Sequence, residues 1–417
     1  MPKFETDRTI LRNLAHDVAA IADLDIHKQT IANWKRLNML QPGKPMIHIY
    51  QQPWHELDVD GELTLLCQDD VCRAIEQHLR RTIYQWRHLP GDMVIVPYFV
   101  NPYVIRDSGY GLDEDVDIVK TDDSNDVVSR HFKVRIRSEA DLDLIKIPVV
   151  SHDLEATTRN VDRLNDLFGD ILPIITCGVG YMSYAPWDWL IRLWGVQEAL
   201  VDLVERPALA HAAMERLTTA CLAQLDQFEQ QNLLTRSNAN ITGQGGLGYT
   251  DELPQPGYDQ TYIHPQDMWG GAMSQIFSAV SPAMHEEFAV QYEARFLKRF
   301  GLCYYGCCEP LDMKVSMLKR NLPNLRKISM SPWVNVERGA RAIGADYVFS
   351  YKPSPAVLAS DGWDPAQLRT DLRRVLEITK GCHVELILKD ISTVRYQPQR
   401  LWEWAEIAKQ VTEEFAN

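Results

Sequence analysis

The second half of the chain repeats one unit, in which an amphipathic helix is followed by a short apolar strand. Helical spacing of apolar residues alternates there with strand-like runs such as LCYYG, RKISMSP, DYVFSYKP and HVELILKD. The first half continues the alternation, with strands predicted in PMIHIY, DMVIVPYFV, ILPIITCG and ANITG. Sustained alternation favours a parallel sheet with helices outside it. For 417 residues we expect an α/β fold, a closed (β/α)8 TIM barrel, with an open doubly wound sheet as the alternative.

Two segments stand outside this pattern. Apolar residues at helical spacing predict two helices before the first strand, so residues 1–44 form an N-terminal helical extension. Residues near 110–140 combine an acidic loop with the alternating HFKVRIR, which predicts a small β insertion. The chain has no Pro- or Ser-rich linker, and we therefore expect one domain over residues 1–417.

The chain is acidic, with a formal net charge of −14 and a pI near 5.3. Such a surface repels phosphate backbones and anionic lipids, so we expect no nucleic-acid or membrane partner. The N-terminal residues lack the basic region and apolar core of a signal peptide, and no segment reaches about 18 consecutive apolar residues. Eight scattered cysteines fit reduced thiols. These features predict a cytoplasmic protein, and a homodimer is compatible with its size.

In a parallel barrel the active site lies at the carboxyl ends of the strands, so residues that follow each strand are the candidates for binding a small-molecule substrate. They are Gln52, Trp54, His55, Asn101, Tyr181, Tyr249 and Trp333. For His55 and Glu56, a loop capped by its own carboxylate is an equal alternative. The segment GQGGLG lacks the lysine of a phosphate-binding loop, and we expect its glycines to form a tight loop over the pocket.

Two adjacent thiols and a carboxylate, Cys307, Cys308 and Glu309, follow the predicted strand LCYYG. Converging thiolates and carboxylates can hold a soft metal ion such as zinc. The helix that begins SPAMHEEF starts at the same rim of a barrel, so His285, Glu286 or Glu287 could supply a further ligand. No CxxC or HExxH motif supports this assignment, and buried structural cysteines or another thiol role remain alternatives.

Several segments resemble the uroporphyrinogen decarboxylase superfamily, which contains decarboxylases and the corrinoid-linked methyltransferases of methanogens and acetogens. The resemblance runs over roughly residues 45–415 and is sharpest in LWGVQEALVDLVERPAL and SPAMHEEF. It implies a (β/α)8 barrel with a polar cleft. This chain has IYQQPWHEL where the decarboxylases carry an Arg-rich segment that binds substrate carboxylates, so the resemblance favours the methyltransferases.

The resemblance to those methyltransferases implies a bound zinc ion, with Glu287, Cys307 and Cys308 as candidate ligands. The family has a His-x-Cys-Gly motif where this chain has Tyr305-Gly306-Cys307-Cys308, so the ligand set departs from the family pattern. The implied function is transfer of a methyl group from a small methoxy, methylthio or methylamine compound to a corrinoid held on a separate partner protein. The candidate catalytic residues are Tyr305, Glu309, Lys352 and Asp390.

Two other functions fit the sequence. A decarboxylase that acts on a different acid needs no metal and would use Asp390 or Lys352 to stabilise a protonated intermediate. A non-catalytic protein would keep the pocket for a small ligand or a corrinoid. For Lys352, an ordinary solvated lysine is a further alternative.

Overall fold

The computed structural model describes residues 2–120, 128–236 and 240–416. Within these residues the helices are α1 (Pro2–Ala22), α2 (Ile26–Asn38), α3 (Asp70–His88), α4 (Leu154–Phe168), α5 (Pro186–Trp194), α6 (Val196–Glu205), α7 (Pro207–Gln230), α8 (Pro282–His285), α9 (Gln291–Leu297), α10 (Val315–Asn321), α11 (Val336–Ile343), α12 (Ala356–Ala359), α13 (Pro365–Ile378) and α14 (Gln399–Glu414). The strands are β1 (Met46–Ile49), β2 (Phe99–Pro102), β3 (Ile105–Asp107), β4 (Val116–Val119), β5 (Ser129–Phe132), β6 (Val150–His152), β7 (Ile174–Cys177), β8 (Met182–Tyr184), β9 (Trp269–Ala272), β10 (Leu302–Tyr305), β11 (Leu325–Met330), β12 (Val348–Tyr351) and β13 (His383–Leu388).

The main sheet has seven parallel strands in the order β1–β13–β12–β11–β10–β9–β8. Strands β2 and β7 form a separate parallel pair, and β3–β6 and β4–β5 are antiparallel pairs. The predicted alternation of strands and helices is therefore present, and the fold is α/β. Among the described residues the main sheet is not closed, because β1 and β8 are its two edges.

The segment DMVIVPYFV, predicted to be a strand, does not pair with β1, so β1 is an edge of the main sheet. Strand structure begins there only at β2, and Pro97 lacks the N–H that a ladder requires. The Asp92 side chain occupies the edge of β1, since its Oδ2 accepts a hydrogen bond from Ile47 N at 2.7 Å. The strand predicted in ANITG is also not formed in its described part, because Ile241 makes a single bridge to Leu247.

The N-terminal helices lie where the sequence pattern predicts them. Helix α3 begins after Asp69, whose side chain accepts a hydrogen bond from Cys72 N at 3.0 Å. Helix α1 packs on α3 and α4 through a buried apolar cluster that includes Leu11, Leu79 and Phe168. No helix in the described ranges combines the length and apolarity needed to cross a membrane.

The predicted β insertion is the antiparallel pair β4–β5, and residues 121–127 of that segment lie outside the described residues. Strand β5 ends at Phe132, so most of HFKVRIR is not strand. Arg135 N and Ile136 N instead donate to Leu193 O at 2.6 and 2.9 Å, which attaches the chain after β5 to the end of helix α5.

The two faces of the main sheet differ in polarity. The face toward the helices is apolar and contributes to the largest core cluster, with Ile328, Phe349 and Leu386 from strands and Trp187 and Trp404 from helices. The opposite face carries a fully buried ion pair, in which Lys327 Nζ lies 2.8 Å from Glu385 Oε2. Burial alone would raise the pKa of Glu385, but the Lys327 ammonium outweighs it and the pKa is lowered.

The glycine-rich segment GQGGLG packs against this ion pair rather than over a pocket. A Cβ atom on Gly245 would lie 2.5 Å from Glu385 Oε1, and one on Gly246 would lie 2.2 Å from the ring of Trp34. Leu247 of this segment and the following Tyr249 pack with Met46 and Val348, the first residues of β1 and β12. The expectation of a loop over the pocket is therefore wrong, because this segment covers the amino ends of the strands.

We predict that the Lys327–Glu385 pair is essential for stability. Glu385→Gln leaves the Lys327 ammonium buried without its counter-ion and should lower the free energy of unfolding by about 3–5 kcal/mol in urea titrations. The exposed pair Arg374–Glu337 provides the control, and Glu337→Gln should cost less than about 1 kcal/mol. A loss below about 1 kcal/mol in Glu385→Gln would contradict this role.

Candidate functional site

The carboxyl end of β10 turns sharply into the two adjacent thiols. Gly306 has a φ of 97°, and a Cβ atom there would lie 2.4 Å from Leu311 Cδ1, so glycine is needed at this turn. Ser329 Oγ, on the neighbouring strand β11, donates to Cys307 O at 2.6 Å. We call residues 306–309 the thiol loop, and its backbone is fixed at the edge where parallel strands end together.

The two sulfurs of the thiol loop are in contact and differ in exposure. Cys307 Sγ lies 3.4 Å from Cys308 Sγ; Cys307 is buried, whereas Cys308 is exposed. Their hydrogen bond lowers the pKa of Cys308 and raises the pKa of Cys307, which burial raises further. The arrangement therefore favours a Cys308 thiolate that accepts a hydrogen bond from the Cys307 thiol.

A lysine and an aspartate from the end of β13 complete the group. Lys389 Nζ lies 3.5 Å from Cys307 Sγ and 2.9 Å from Asp390 Oδ2, and that oxygen lies 4.0 Å from Cys308 Sγ. Burial would lower the pKa of Lys389, but Cys307 and Asp390 outweigh it and the pKa is raised. Lys389 is therefore a fixed cation beside the thiols, and Asp390 lies next to Cys308, while its catalytic role stays a prediction.

Glu309 lies beneath the thiol loop and is fully buried. Its two oxygens accept hydrogen bonds from Cys307 N at 2.9 Å and from Ser274 N at 3.3 Å. Burial raises its pKa. The predicted catalytic residue Glu309 thus holds backbone amides in place, and its carboxylate does not face the exposed side of the site.

Lys352 lies inside the polar face and is not a solvated lysine. Its ammonium donates to Ser350 O and Ser350 Oγ, both at 3.1 Å, and to the Tyr304 hydroxyl. Burial lowers the pKa of Lys352 to about 7. All three donors of the ammonium are used within the protein, so Lys352 has an altered acidity but no free donor.

The predicted catalytic residue Tyr305 faces the helices, and Tyr304 takes the inward position. Side chains alternate along a strand, so only one of the two adjacent tyrosines can point to each face. The Tyr305 hydroxyl bonds to Glu293 Oε2 and His285 Nε2, on the helices packed outside the sheet. The assignment of Tyr305 to the pocket is wrong, because the phase of this short apolar strand is not readable from its sequence.

Two predicted substrate-binding residues lie at the end of the sheet opposite the thiol loop. Tyr249 packs with Met46 and Val348, and Tyr181 packs with Trp269 and Leu302. These four neighbours are the first residues of their strands, so both tyrosines lie toward the amino ends, away from the thiol loop. The prediction that Tyr249 faces the pocket depended on a strand in ANITG that is not formed.

The remaining predicted binding residues are mostly engaged in structure. The Arg81 guanidinium lies 4.8 Å from the ring of Trp54, and Gln52 Nε2 donates to Ile49 O at 3.1 Å. His55 Nε2 is 3.5 Å from Glu56 Oε1, and Glu56 caps the loop after β13 by accepting from Val394 N at 2.7 Å. This result matches the loop-capping alternative for the His55–Glu56 pair.

Asn101 and Trp333 have opposite environments. Asn101 is buried on β2, which pairs with β7 outside the main sheet, so it does not follow a strand next to the thiol loop. Trp333 follows β11 and its side chain is 78% exposed. Because β11 neighbours β10, Trp333 lies on the same edge as the thiols and is available to a ligand.

The proposed metal ligand Glu287 does not join the thiols. Its Oε1 lies 3.5 Å from His211 Nε2 in the outer helical layer, and Asp390 is the carboxylate beside Cys308. Throughout the described part of the chain, no group of three or more His, Cys, Asp and Glu side chains is arranged to hold a metal ion. Since Lys389 already places a cation against Cys307 and Asp390, the residues do not fit a zinc ion as they are arranged here.

The chain resembles a solved methyltransferase in three dimensions. A methyltransferase from Methanosarcina mazei matches with a TM-score of 0.52, covering 93% of this chain and 98% of that chain, at 12% sequence identity. At this identity the likeness shows the fold alone. No family model matches the chain, and comparison with curated proteins also found no match.

We predict that Cys308 is the most reactive thiol of the chain. Iodoacetamide at neutral pH should alkylate Cys308 before Cys307, because Cys308 is exposed and its thiolate is favoured. Lys389→Met should slow the reaction severalfold, since it removes the neighbouring cation, whereas Lys298→Met on the surface should leave the rate unchanged. Peptide mass spectrometry measures both rates, and preferential labelling of Cys307 would contradict the assignment.

Proposed function

We propose that the chain is a methyltransferase that removes a methyl group from a small methylated compound at the thiol loop. The observation that carries the proposal is the exposed Cys308 sulfur at the carboxyl edge of the parallel sheet, which lies 3.4 Å from Cys307 Sγ and 4.0 Å from Asp390 Oδ2, while Lys389 contacts Cys307. The fold shared with a methyltransferase supports the same reaction class. A methoxy, methylthio or methylamine compound is the proposed substrate class.

In the first step the Cys308 thiolate attacks the methyl carbon of the substrate. The sulfur–carbon bond forms as the bond to the oxygen, sulfur or nitrogen of the donor breaks, and the leaving group departs with the electron pair. The Cys307 thiol and the Lys389 ammonium favour the thiolate before attack. The leaving group is more stable when it departs neutral, so a protonated or positively charged donor is the better substrate.

In the second step the methyl group passes to a nucleophilic acceptor. The acceptor forms its bond to the methyl carbon while the sulfur–carbon bond breaks, and the electron pair of that bond restores the Cys308 thiolate. A methyl thioether is an unreactive donor, so the acceptor must be a strong nucleophile. A reduced corrinoid on a separate protein, expected from the resemblance, satisfies this requirement and stays a prediction.

Zinc is not needed in this scheme. Lys389 supplies a positive charge at the thiols, which is one part of the effect that a metal ion would have on a thiolate. The resemblance implies a metal ion here, but the arrangement of Lys389 against Cys307 and Asp390 argues for a site that works without it.

Decarboxylation is the second candidate, and the pKa of Lys352 near 7 favours it. A buried amine with that pKa could stabilise charge in a reacting acid. The hydrogen bonds of Lys352 to Ser350 and Tyr304 weigh against this role, because the ammonium would have to leave all of its partners to reach a substrate.

We predict a covalent methyl intermediate on Cys308. Incubation with isotope-labelled methoxy, methylthio and methylamine donors, without an acceptor, should add about 14 Da plus the mass of the label to the Cys308 peptide for at least one donor class. Cys308→Ser should abolish the label, whereas Cys382→Ser, remote and bonded to Ala340 O, should retain it. Demethylation of a donor by Cys308→Ser at the wild-type rate would refute the proposal.

We also predict that the purified protein contains little zinc. Protein prepared without chelator should hold less than about a tenth of an equivalent by elemental analysis, because the Lys389 ammonium already lies against Cys307 and Asp390. Stoichiometric zinc that is lost in Cys308→Ser but retained in Cys382→Ser would contradict this prediction. That outcome would instead support a rearranged metal site at the thiol loop.

A further inference from the structure

The helical segment outside β10 contains a π-helical turn between α8 and α9, over Glu286–Val290. His285 and Glu293 lie eight positions apart on either side of it, which would place them about 80° apart around a regular α-helix. A π turn inserts one extra residue, so the two side chains return to nearly the same face. Both are buried, and both contact the hydroxyl of Tyr305.

These contacts form part of a continuous buried row of hydrogen bonds. Lys314 Nζ lies 2.9 Å from His285 Nδ1, and His285 Nε2 lies 2.7 Å from the Tyr305 hydroxyl. The Tyr305 hydroxyl lies 2.6 Å from Glu293 Oε2. The row therefore joins a lysine at one end to a glutamate at the other.

The row can be fully satisfied in two ways. In one, Lys314 donates to His285, His285 donates to Tyr305, and Tyr305 donates to the Glu293 carboxylate. In the other, every bond is reversed and the proton lies on Glu293, while neutral Lys314 accepts from His285. Both arrangements conserve atoms and charge, and each group has the donor and acceptor that it requires.

The Glu293 end of the row leads to the thiol loop. Ser274 Oγ donates to Glu293 Oε1 at 2.8 Å, and Ser274 N donates to Glu309 Oε1 at 3.3 Å. Glu309 Oε2 in turn accepts from Cys307 N at 2.9 Å. Ser274 thus links two buried carboxyl groups, and a change at Glu293 acts directly on the support beneath the thiols.

The groups that face Glu293 set its charge. Burial, together with the carboxyl groups of Glu309 and Asp188, raises the pKa of Glu293 to about 8, while its hydrogen bonds with Tyr305 and Ser274 oppose the rise. Burial lowers the pKa of Lys314 to about 8, although Glu309 opposes that shift. The pKa of His285 is well below its ordinary value because it is buried, so the ring is neutral.

We propose that Glu293 is a positioning residue for the thiol loop, and that the row through Tyr305 and His285 to Lys314 sets its charge. In its ionised form the Glu293 carboxylate accepts from Tyr305 and Ser274 together, and this keeps Ser274 N directed at Glu309. No group of the row touches Cys308, so its effect on that sulfur passes through the backbone of the loop. The proposal concerns thiol reactivity and does not depend on the methyl-transfer reaction.

The test compares Glu293→Gln with Glu287→Gln, the same change at an exposed position of the same helical segment. Above about pH 8 Glu293 is ionised and accepts from both Tyr305 and Ser274, whereas an amide has one acceptor oxygen, so one of the two loses its partner at position 293. In folded Glu293→Gln protein, alkylation of Cys308 by iodoacetamide at about pH 9, above the pKa of Glu293, should slow at least threefold, because the Cys307–Cys308 contact is no longer held. Glu287→Gln should react like the wild type.

Ser274→Ala provides a second variant if Glu293→Gln does not fold, and it should slow alkylation similarly. A merely structural Glu293 would lower thermal stability without changing Cys308 reactivity. Alkylation rates within twofold of Glu287→Gln in the folded variants would therefore overturn the proposal. A variant with normal alkylation that still transfers methyl would overturn the role of Glu293 and leave the proposed function intact. Failure of the one proposal can therefore be distinguished from failure of the other.

The pH dependence of the melting temperature tests the charge of Glu293. Its pKa is raised in the folded state, so its contribution to stability is present below the ordinary value of 4.5 and is lost as the pH rises through about 8. Glu293→Gln does not titrate and should lack that loss. The wild-type melting temperature should fall relative to the variant between about pH 5 and pH 8, and parallel curves would overturn the charge assignment.

Discussion

The buried ion pair between Lys327 and Glu385 determines how the inner face of the sheet is built. Two buried charges need polar groups around them in place of water. Here the backbone of the glycine-rich segment approaches the ion pair closely, because its glycines have no side chains. Polar side chains then continue along the face through Tyr304 and Lys352. The polar region reaches solvent at the carboxyl edge, which is where the thiols lie.

The helices and most strands could be predicted because their signals are local. Asp69 caps α3 within three residues, and each C-terminal helix and strand has its own periodicity. Whether the sheet closes could not be predicted, since the spacing of apolar residues indicates which side chains are buried but not which strands pair. DMVIVPYFV is apolar enough for a strand, but it does not form a strand ladder with β1. Pro97 has no N–H to donate, and Ile47 N donates to the Asp92 side chain instead.

The site was predictable in position but not in composition. The rule that parallel strands end at one edge placed Cys307, Cys308 and Asp390 together. Lys389 was adjacent to a predicted residue, yet its role depends on a distance to Cys307 that no motif encodes. Glu293 was hidden because a π turn breaks the 3.6-residue period on which helical-face predictions depend.

The protonation of the carboxyl groups beneath the thiols explains why a single lysine can be sufficient to favour a thiolate there. Asp188, Glu293 and Glu309 are near one another, and as full charges they would oppose a thiolate above them. Burial raises the pKa of Asp188 to about 6 and that of Glu293 to about 8. At neutral pH Glu293 is therefore mostly uncharged, so this carboxyl group does not compete with the Lys389 ammonium for an effect on the sulfurs.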